Sequence, residues 1–65
     1  MRPGDIIRNE ANGELGQYQG LNDFGWDVVM FLIDGGYIYP LPLLSYRFYT
    51  PIVLRWQFSL VFSVN

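Results

Sequence analysis

The stretch of residues 25–40 constrains this chain most, because it places a turn-forming triplet between two apolar runs. The runs are residues 26–33 and 37–39, and Asp34, Gly35 and Gly36 separate them. An Asp-Gly or Gly-Gly pair between apolar runs is a strong short-range signal for a β-hairpin. Glycine adopts positive φ without steric cost, so the triplet suits a tight turn. The sequence therefore predicts a β-hairpin that turns at residues 34–36.

Two further strands are predicted before this hairpin. Residues 5–8 read as a short strand with β-branched residues at its centre, and the polar residues 9–13 read as a loop. Residues 15–21 form the second predicted strand, which contains Gly16 and Gly20. Glycines inside a strand often mark a sharp bend or a close approach of another backbone. We therefore expect a curved second strand, followed by a turn at residues 22–25.

The predicted third strand is apolar on both of its faces. Trp26, Val28, Met30 and Leu32 share one face, and Val29, Phe31 and Ile33 share the other. A strand with two apolar faces is normally covered on both, whereas the core of one small domain covers only one. The second face therefore predicts a contact with a partner.

The C-terminal third of the chain predicts a long terminal strand. Pro40 and Pro42 are expected to end a fourth strand, and residues 41–46 to form a short extended or helical connector. From Phe48 onward, every even position except Thr50 is apolar, a period of two that is typical of a strand. Residues 52–64 would extend roughly 43 Å, more than the width of a compact domain of this size. The strand must therefore bend or bulge, or pair with another chain.

Length and composition favour self-association. A chain of 65 residues allows one domain, residues 1–65, and a domain this small buries only about 60% of its surface. Cysteine and histidine are both absent, so disulfides and the usual zinc sites cannot stabilise it. With 51% hydrophobic residues, the remaining common support is a homo-oligomer. The predicted interface residues are Val29, Phe31, Ile33, Trp56, Phe58, Leu60 and Phe62.

The charges argue against several other functions. Four arginines, no lysine and a net charge of -2 cannot neutralise a run of phosphates, so nucleic acid is not an expected partner. The first residues lack the apolar core of a signal peptide, and no apolar run reaches the about 20 residues of a membrane-spanning helix. We therefore expect no membrane contact and, by default, a cytoplasmic location.

Catalysis is not expected, because the chain has no His, Cys or Lys to act as base, thiolate or Schiff-base amine. Two pairs of acidic residues could in principle perform acid-base chemistry, but the plainer interpretation is solvated loop charges; the pairs are Asp23 with Asp27 and Glu10 with Glu14. None has the spacing of a calcium loop. We predict no catalytic residue, no metal and no cofactor.

An aromatic cage is the alternative to an assembly surface. Several aromatic side chains cluster around the predicted hairpin, with an acidic residue at the rim: Phe24, Trp26, Tyr37 and Tyr39, with Asp34 or Asp23. Such groups can hold a methylated ammonium by cation–π attraction. Aromatic residues in hairpins more commonly form cross-strand pairs and core contacts. The cage is therefore kept as a ligand-binding hypothesis beside the packing interpretation.

The order of predicted elements resembles that of the SH3-like small barrels, which include KOW and Tudor modules and the plasmid-borne type II dihydrofolate reductases. The resemblance covers residues 2–48 and is carried by residues 4–8, the Gly16 and Gly20 strand, residues 25–31 and the Tyr39-Pro40 step with the leucines after it. It implies an all-β fold, an SH3-like small antiparallel barrel of about five strands. The long C-terminal strand would be an addition, because residues 50–65 lie outside the family pattern.

The resemblance also suggests a second ligand. The reductases hold folate and nicotinamide with a Val-Gln-Ile-Tyr strand, and Gly36-Tyr37-Ile38-Tyr39 would occupy that place here. Only Ile38 and Tyr39 match, since Tyr37 replaces the glutamine that contacts both ligands. A folate or nicotinamide pore therefore stands as the other form of the ligand-binding alternative.

Overall fold

The computed structural model describes residues 1–64, with the backbone alone described at Asp34. In chain order its elements are β1 (Ile6–Asn9), β2 (Leu15–Leu21), β3 (Asp27–Ile38), β4 (Leu41–Tyr49), α1 (Pro51–Gln57) and β5 (Phe58–Phe62). The strands form one antiparallel sheet in the order β4-β3-β2-β1-β5. The predicted all-β class is confirmed. Within the described residues the sheet is open, with β4 and β5 as its two edge strands.

The first half of the chain follows the prediction closely. β1 and β2 lie within one residue of the predicted strands, and their connecting loop is held by backbone hydrogen bonds around Asn9. The predicted curvature of β2 is present as a register shift between Tyr18 and Gly20, where Gly20 has φ +101°. The other glycine permits close packing: a Cβ at Gly16 would lie 2.7 Å from Val29 Cγ1. Both glycines of β2 therefore serve the purposes expected of them.

The core lies on one side of the sheet and receives side chains from every element except β4. Its buried members are Ile7, Tyr18, Val29, Phe31, Leu54 and Phe58. Ile7, Val29 and Phe31 are the largest fully buried side chains, and they come from β1 and β3. Tyr49 of β4 packs against this cluster while staying partly exposed. The core is small, as expected for a chain of this length.

The hairpin turn predicted at residues 34–36 was wrong. β3 continues through these residues to Ile38, and the chain turns at Tyr39 and Pro40, whose peptide bond is cis. The register shifts between Leu32, which pairs with Leu44, and Tyr37, which pairs with Pro42. The glycine-rich triplet therefore lies in a β-bulge, because positive φ, +70° at Gly35, suits a bulge as well as a turn.

This correction changes the two neighbouring predictions. Residues 37 and 38 are the end of β3 and not part of a separate fourth strand. The residues expected to form a connector belong to the nine-residue strand β4, which pairs with β3 along most of its length. Pro42 is tolerated there because β4 is an edge strand.

The long C-terminal strand was also wrong. Residues 51–57 form the helix α1, with Thr50 as N-cap and Pro51 in the first turn, and β5 has only five residues. The Thr50 side chain accepts a hydrogen bond from the Val53 amide at 3.4 Å. Leu54 and Phe58 are four residues apart, a spacing that keeps the same face in a strand and also in a helix. Alternation of apolar residues therefore could not distinguish the two structures here.

Candidate interaction surface

β3 and β4 together present an apolar surface on the side of the sheet away from the core. Val29 and Phe31 are 0% and 1% exposed in the core, so the alternating side chains of β3 point to the opposite side. Each of these pairs with an apolar residue of β4: Val28 with Phe48, Met30 with Tyr46, and Leu32 with Leu44. We call these six residues the outer β3–β4 face. None of them carries a formal charge.

Much of this face is accessible to solvent. Leu32 and Phe48 are each 56% exposed, Tyr46 is 52% exposed and Leu44 is 38% exposed. Val28 and Met30 are half-buried between them. Since a large aromatic side chain offers about 150–250 Å² when fully exposed, these fractions amount to several hundred Å² of apolar surface. Each partner in a stable interface of standard size contributes about 800 Å², so the face would supply a substantial part of such an interface.

A rigid turn extends the face at one end. The Asn22 side-chain oxygen accepts hydrogen bonds from the Phe24 amide at 2.9 Å and the Trp26 amide at 3.0 Å. The same turn is closed by backbone bonds from Asn22 to Trp26 and from Gly25 to Asn22. This network holds the two aromatic rings next to Phe48, and the three side chains with Asn22 line a shallow cleft of about 390 Å³.

A second shallow cleft extends the face across the neighbouring strands. It has a volume of about 370 Å³ and is lined by residues of β1, β2 and β3: Ile6, Leu15, Gly16, Gln17, Met30 and Leu32. Leu15 is 53% exposed there. Apolar surface therefore extends from the Asn22 turn, over the outer β3–β4 face, to Leu15 of β2, while Gln17 lies between Met30 and Ile6.

The one charged side chain of β4 is directed to the other side of the strand. Arg47 pairs with Val29 in the sheet register, so its side chain leaves the strand on the core side. Its guanidinium lies 4.7 Å from the centre of the Phe31 ring, and Nη1 lies 3.3 Å from a carboxylate oxygen of Glu14. These contacts keep the positive charge away from the outer β3–β4 face.

The structure divides the predicted aromatic cage into two groups. Phe24 and Trp26 lie together at the Asn22 turn. Tyr37 and Tyr39 lie at the opposite end of the β3–β4 ribbon, where they are 70% and 95% exposed. The two groups lie at opposite ends of the 12-residue strand β3, because this strand extends beyond the predicted turn. The side chain of Asp34, the predicted rim residue, lies outside the described part of the structure.

The predicted interface residues also separate into groups. Val29, Phe31 and Phe58 are buried in the chain's own core, so assigning them to a partner contact was wrong. Ile33, Trp56, Leu60 and Phe62 are exposed, at 41%, 84%, 53% and 64%. The third strand has two apolar faces, as predicted. The prediction assigned the face with Val29 and Phe31 to a partner, but in the structure this face lies in the core. All six residues of the outer β3–β4 face were therefore missed, although the alternation of residues 28–32 carried the signal for the three on β3.

Both residues of the predicted Glu10–Glu14 pair make structural contacts. Glu10 accepts a hydrogen bond from the Ser59 hydroxyl and lies 3.8 Å from Arg8, while Glu14 is paired with Arg47. Among the described residues no group of acidic side chains is arranged to hold a metal ion. These contacts join the β1–β2 loop to β4 and β5, and they place the acids in structural roles.

One buried polar pair connects β2 to β3. The Tyr18 hydroxyl donates to Asp27 Oδ1 at 2.5 Å, and both residues are buried. Burial raises the pKa of Tyr18 to about 12, and the hydrogen bond to Asp27 adds to this effect. A phenol with so high a pKa stays protonated at neutral pH, where it acts as a fixed hydrogen-bond donor. The pair therefore stabilises the sheet.

A second buried carboxylate connects the two ends of the described chain. Asp5 Oδ2 accepts from the Arg2 amide at 2.8 Å, and Oδ1 accepts from the Val64 amide at 3.1 Å. These two backbone hydrogen bonds lower the pKa of Asp5 below 3.8. The contact fixes the residues that flank β1 and β5.

Within the described residues, no helix is long and apolar enough to cross a membrane. No protein-family model matches the chain, and neither does any curated protein or solved structure.

Proposed function

We propose that this chain is a non-catalytic assembly module that binds a second copy of itself through the outer β3–β4 face. The observation that carries the proposal is the set of three uncharged cross-strand pairs that point away from the core and stay largely exposed. An apolar patch of several hundred Å² is about the largest that a typical monomer exposes, and such patches are often functional. A second copy offers the same apolar surface, so the two faces can cover each other about a two-fold axis.

The physical gain comes from water removal. Burying a large apolar side chain completely contributes about 1.5–3 kcal/mol, and the six side chains of the face are aligned for simultaneous contact. Because none carries a charge, stacking two copies places no like charges opposite each other. The short chain also benefits, since binding to the folded form adds to the stability of a small core.

Light scattering coupled to size-exclusion chromatography tests the proposal. At micromolar concentration we expect a mass of at least two chains for the unmodified protein, and a smaller mass for Leu32→Glu, which places a charge in the face from β3. The matched control is Trp56→Glu, because Trp56 is 84% exposed on α1, away from the face. The control should keep the mass of the unmodified protein. A monomeric unmodified protein, or dissociation by the control alone, would contradict the proposal.

A ligand-binding module is the second candidate, and the cleft at the Asn22 turn supports it. Phe24, Trp26 and Phe48 converge there without the tyrosines that the sequence had suggested, and three aromatic rings can hold a methylated ammonium. A Trp56→Phe background leaves Trp26 as the only tryptophan. Titration with a trimethyl-lysine peptide should then change its fluorescence saturably, and a titration with NADPH asks whether the same cleft takes a nicotinamide. No change with either compound would remove this candidate.

A further inference from the structure

The outer edge of β4 is a second place where a copy of the chain can bind. β4 pairs with β3 along one side, and within the described residues no strand lies along its other side. Backbone hydrogen bonds outside the strand ladders also involve no residue of β4 in this part of the chain. A nine-residue edge strand leaves a row of amide and carbonyl groups available to another strand.

Most of this edge has few of the features that normally prevent strand addition. Such features are lysines, prolines, bulges and inward-pointing charges. Pro42 interrupts the edge near the start of β4, next to the bulge of β3, but residues 43–49 contain no proline. Their single charge, Arg47, does point inward to the core side, but it is paired with Glu14 and lies over the Phe31 ring. The other edge strand, β5, has only five residues, so β4 offers the longer unprotected edge.

We infer that β4 pairs antiparallel with β4 of a second copy, with Tyr46 at the two-fold axis. This inference rests on the proposed self-association and specifies a second contact for it. Directly opposed residues of an antiparallel pair point to the same side of the sheet. The two-fold axis between two copies of β4 must therefore pass between two copies of the same residue. Ser45, Tyr46 and Arg47 are the central candidates.

Two physical arguments select Tyr46 among them. With Arg47 at the axis, two guanidinium groups would stand directly opposite each other, which is unfavourable. With Ser45 at the axis, Pro42 would lie opposite Phe48 of the partner subunit and could not donate to the new ladder. With Tyr46 at the axis, residues 43–49 pair completely and Pro42 stays outside. Leu44 then lies opposite Phe48 of the partner subunit, on the apolar side of the joined sheet.

The result is a ten-stranded sheet that continues from one copy to the other. Because the axis is perpendicular to the sheet, the outer β3–β4 faces of both copies lie on the same side. Edge pairing uses backbone groups, whereas stacking of the outer β3–β4 face uses side chains. The two contacts therefore do not compete for the same atoms, and they can be tested separately.

Single cysteines test this pairing directly, because the chain has no cysteine of its own. Under mild oxidation, Tyr46→Cys should form a disulfide-linked dimer in high yield, since directly opposed Cβ atoms lie about 4.5–5.5 Å apart. Leu44→Cys is the matched control on the same face of β4. In the proposed register its two copies are displaced by four residues, about 13 Å, so it should remain unlinked.

A mixture of two variants separates edge pairing from stacking of the outer face. Ser45 and Arg47 point to the core side of β4, where face stacking cannot bring them together. Ser45→Cys mixed with Arg47→Cys should give a linked heterodimer in higher yield than either variant alone. Residues 43 and 47 lie opposite each other only in the rejected register, with Ser45 at the axis. Leu43→Cys mixed with Arg47→Cys should therefore give less of the linked heterodimer.

Each outcome of these experiments supports or overturns the inference. A higher yield from the mixture of residues 43 and 47, or linkage at residue 44 but not at 46, would overturn the assigned register. Unlinked cysteines in a protein that light scattering shows to be oligomeric would overturn edge pairing and leave the proposed function standing. A protein that is monomeric at micromolar concentration would instead overturn the proposed function, on which the inference rests.

Discussion

Tyr49 and Phe58 join the two edge strands of the sheet through their side chains. Their ring centroids are 4.9 Å apart with an interplanar angle of 68°, an edge-to-face arrangement. Phe58 also lies 6.4 Å from Phe31 of β3, so this contact is continuous with the core. The strands β4 and β5 thus approach each other over the core without pairing their backbones. Side-chain packing takes the place that a closing ladder has in a barrel.

This arrangement predicts that Phe58 contributes far more to stability than its exposed neighbour Trp56. Phe58→Ala should lower the free energy of unfolding by about 3–5 kcal/mol, because it leaves a cavity beneath the edge strands. Trp56→Ala should change it by about 0.5 kcal/mol or less, because Trp56 is largely solvated. Urea denaturation followed by circular dichroism measures both values. Equal losses, or a larger loss for Trp56→Ala, would contradict the burial of Phe58 in the core.

The contact between Tyr49 and Phe58 should also be measurable as a coupling. A double-mutant cycle with Tyr49→Ala and Phe58→Ala should give an interaction energy of about 0.5–1.5 kcal/mol, the range of edge-to-face aromatic pairs. A second cycle, with Tyr37→Ala and Phe58→Ala, is the control, because Tyr37 lies at the far end of the β3–β4 ribbon. Additive effects of Tyr49→Ala and Phe58→Ala would exclude side-chain closure of the sheet.

Gly16 should tolerate no side chain at its place in β2. A Cβ there would lie 2.7 Å from Val29 Cγ1 and 2.9 Å from the Phe31 ring, both in the core. We expect Gly16→Ala to destabilise the protein by about 1–3 kcal/mol through overpacking. Gly36→Ala is the matched comparison, since its nearest atoms lie at 3.2 Å in less buried side chains. Thermal unfolding should show the larger loss for Gly16→Ala, and the reverse order would contradict the packing described for β2.

The Tyr18–Asp27 pair predicts a loss of stability at alkaline pH. Because the pKa of Tyr18 is raised to about 12 in the folded chain and is about 10 when unfolded, the folded state retains the proton longer. Its contribution to stability is complete below pH 10 and is lost as the pH rises from about 10 to about 12. Tyr18→Phe should remove this part of the pH dependence. Denaturation midpoints of both proteins across that interval test the expectation, and parallel curves would refute it.

The hydrogen bonds of the Asp5 carboxylate predict a loss of stability at acid pH. Its folded pKa lies below 3.8 because the carboxylate accepts hydrogen bonds from the Arg2 and Val64 amides. The stabilisation by the ionised carboxylate is therefore complete above its ordinary pKa of 3.8 and is lost as the pH falls through the lower pKa of the folded state. Asp5→Asn should flatten the fall of the melting temperature in acid, below about pH 4. Faster amide exchange at Val64 in the variant would show that the contact with the C-terminal residues has opened, and unchanged exchange would argue against this role.

Local sequence was sufficient for the all-β class, the strands β1 and β2, and the turn at Asn22, because each depends on neighbours in the chain. The glycines of β2 and the polar loop after β1 restrict the backbone over a few residues. The same local information was ambiguous at Gly35 and Gly36, where positive φ serves a bulge or a turn. It was also ambiguous at Leu54 and Phe58, whose four-residue spacing suits a helix or a strand.

For the candidate surface, the alternation of residues 28–32 determined that β3 has two apolar faces, but not which one belongs to the core. Both sets of side chains are hydrophobic, so transfer from water favours burial of either set. Tertiary structure decided between them: Gly16 leaves space for Val29 and Phe31 on one side, and α1 and β5 cover that side with Leu54 and Phe58. The opposite side then remained for Met30, Leu32 and their partners in β4, because a core this small covers only one face of its sheet.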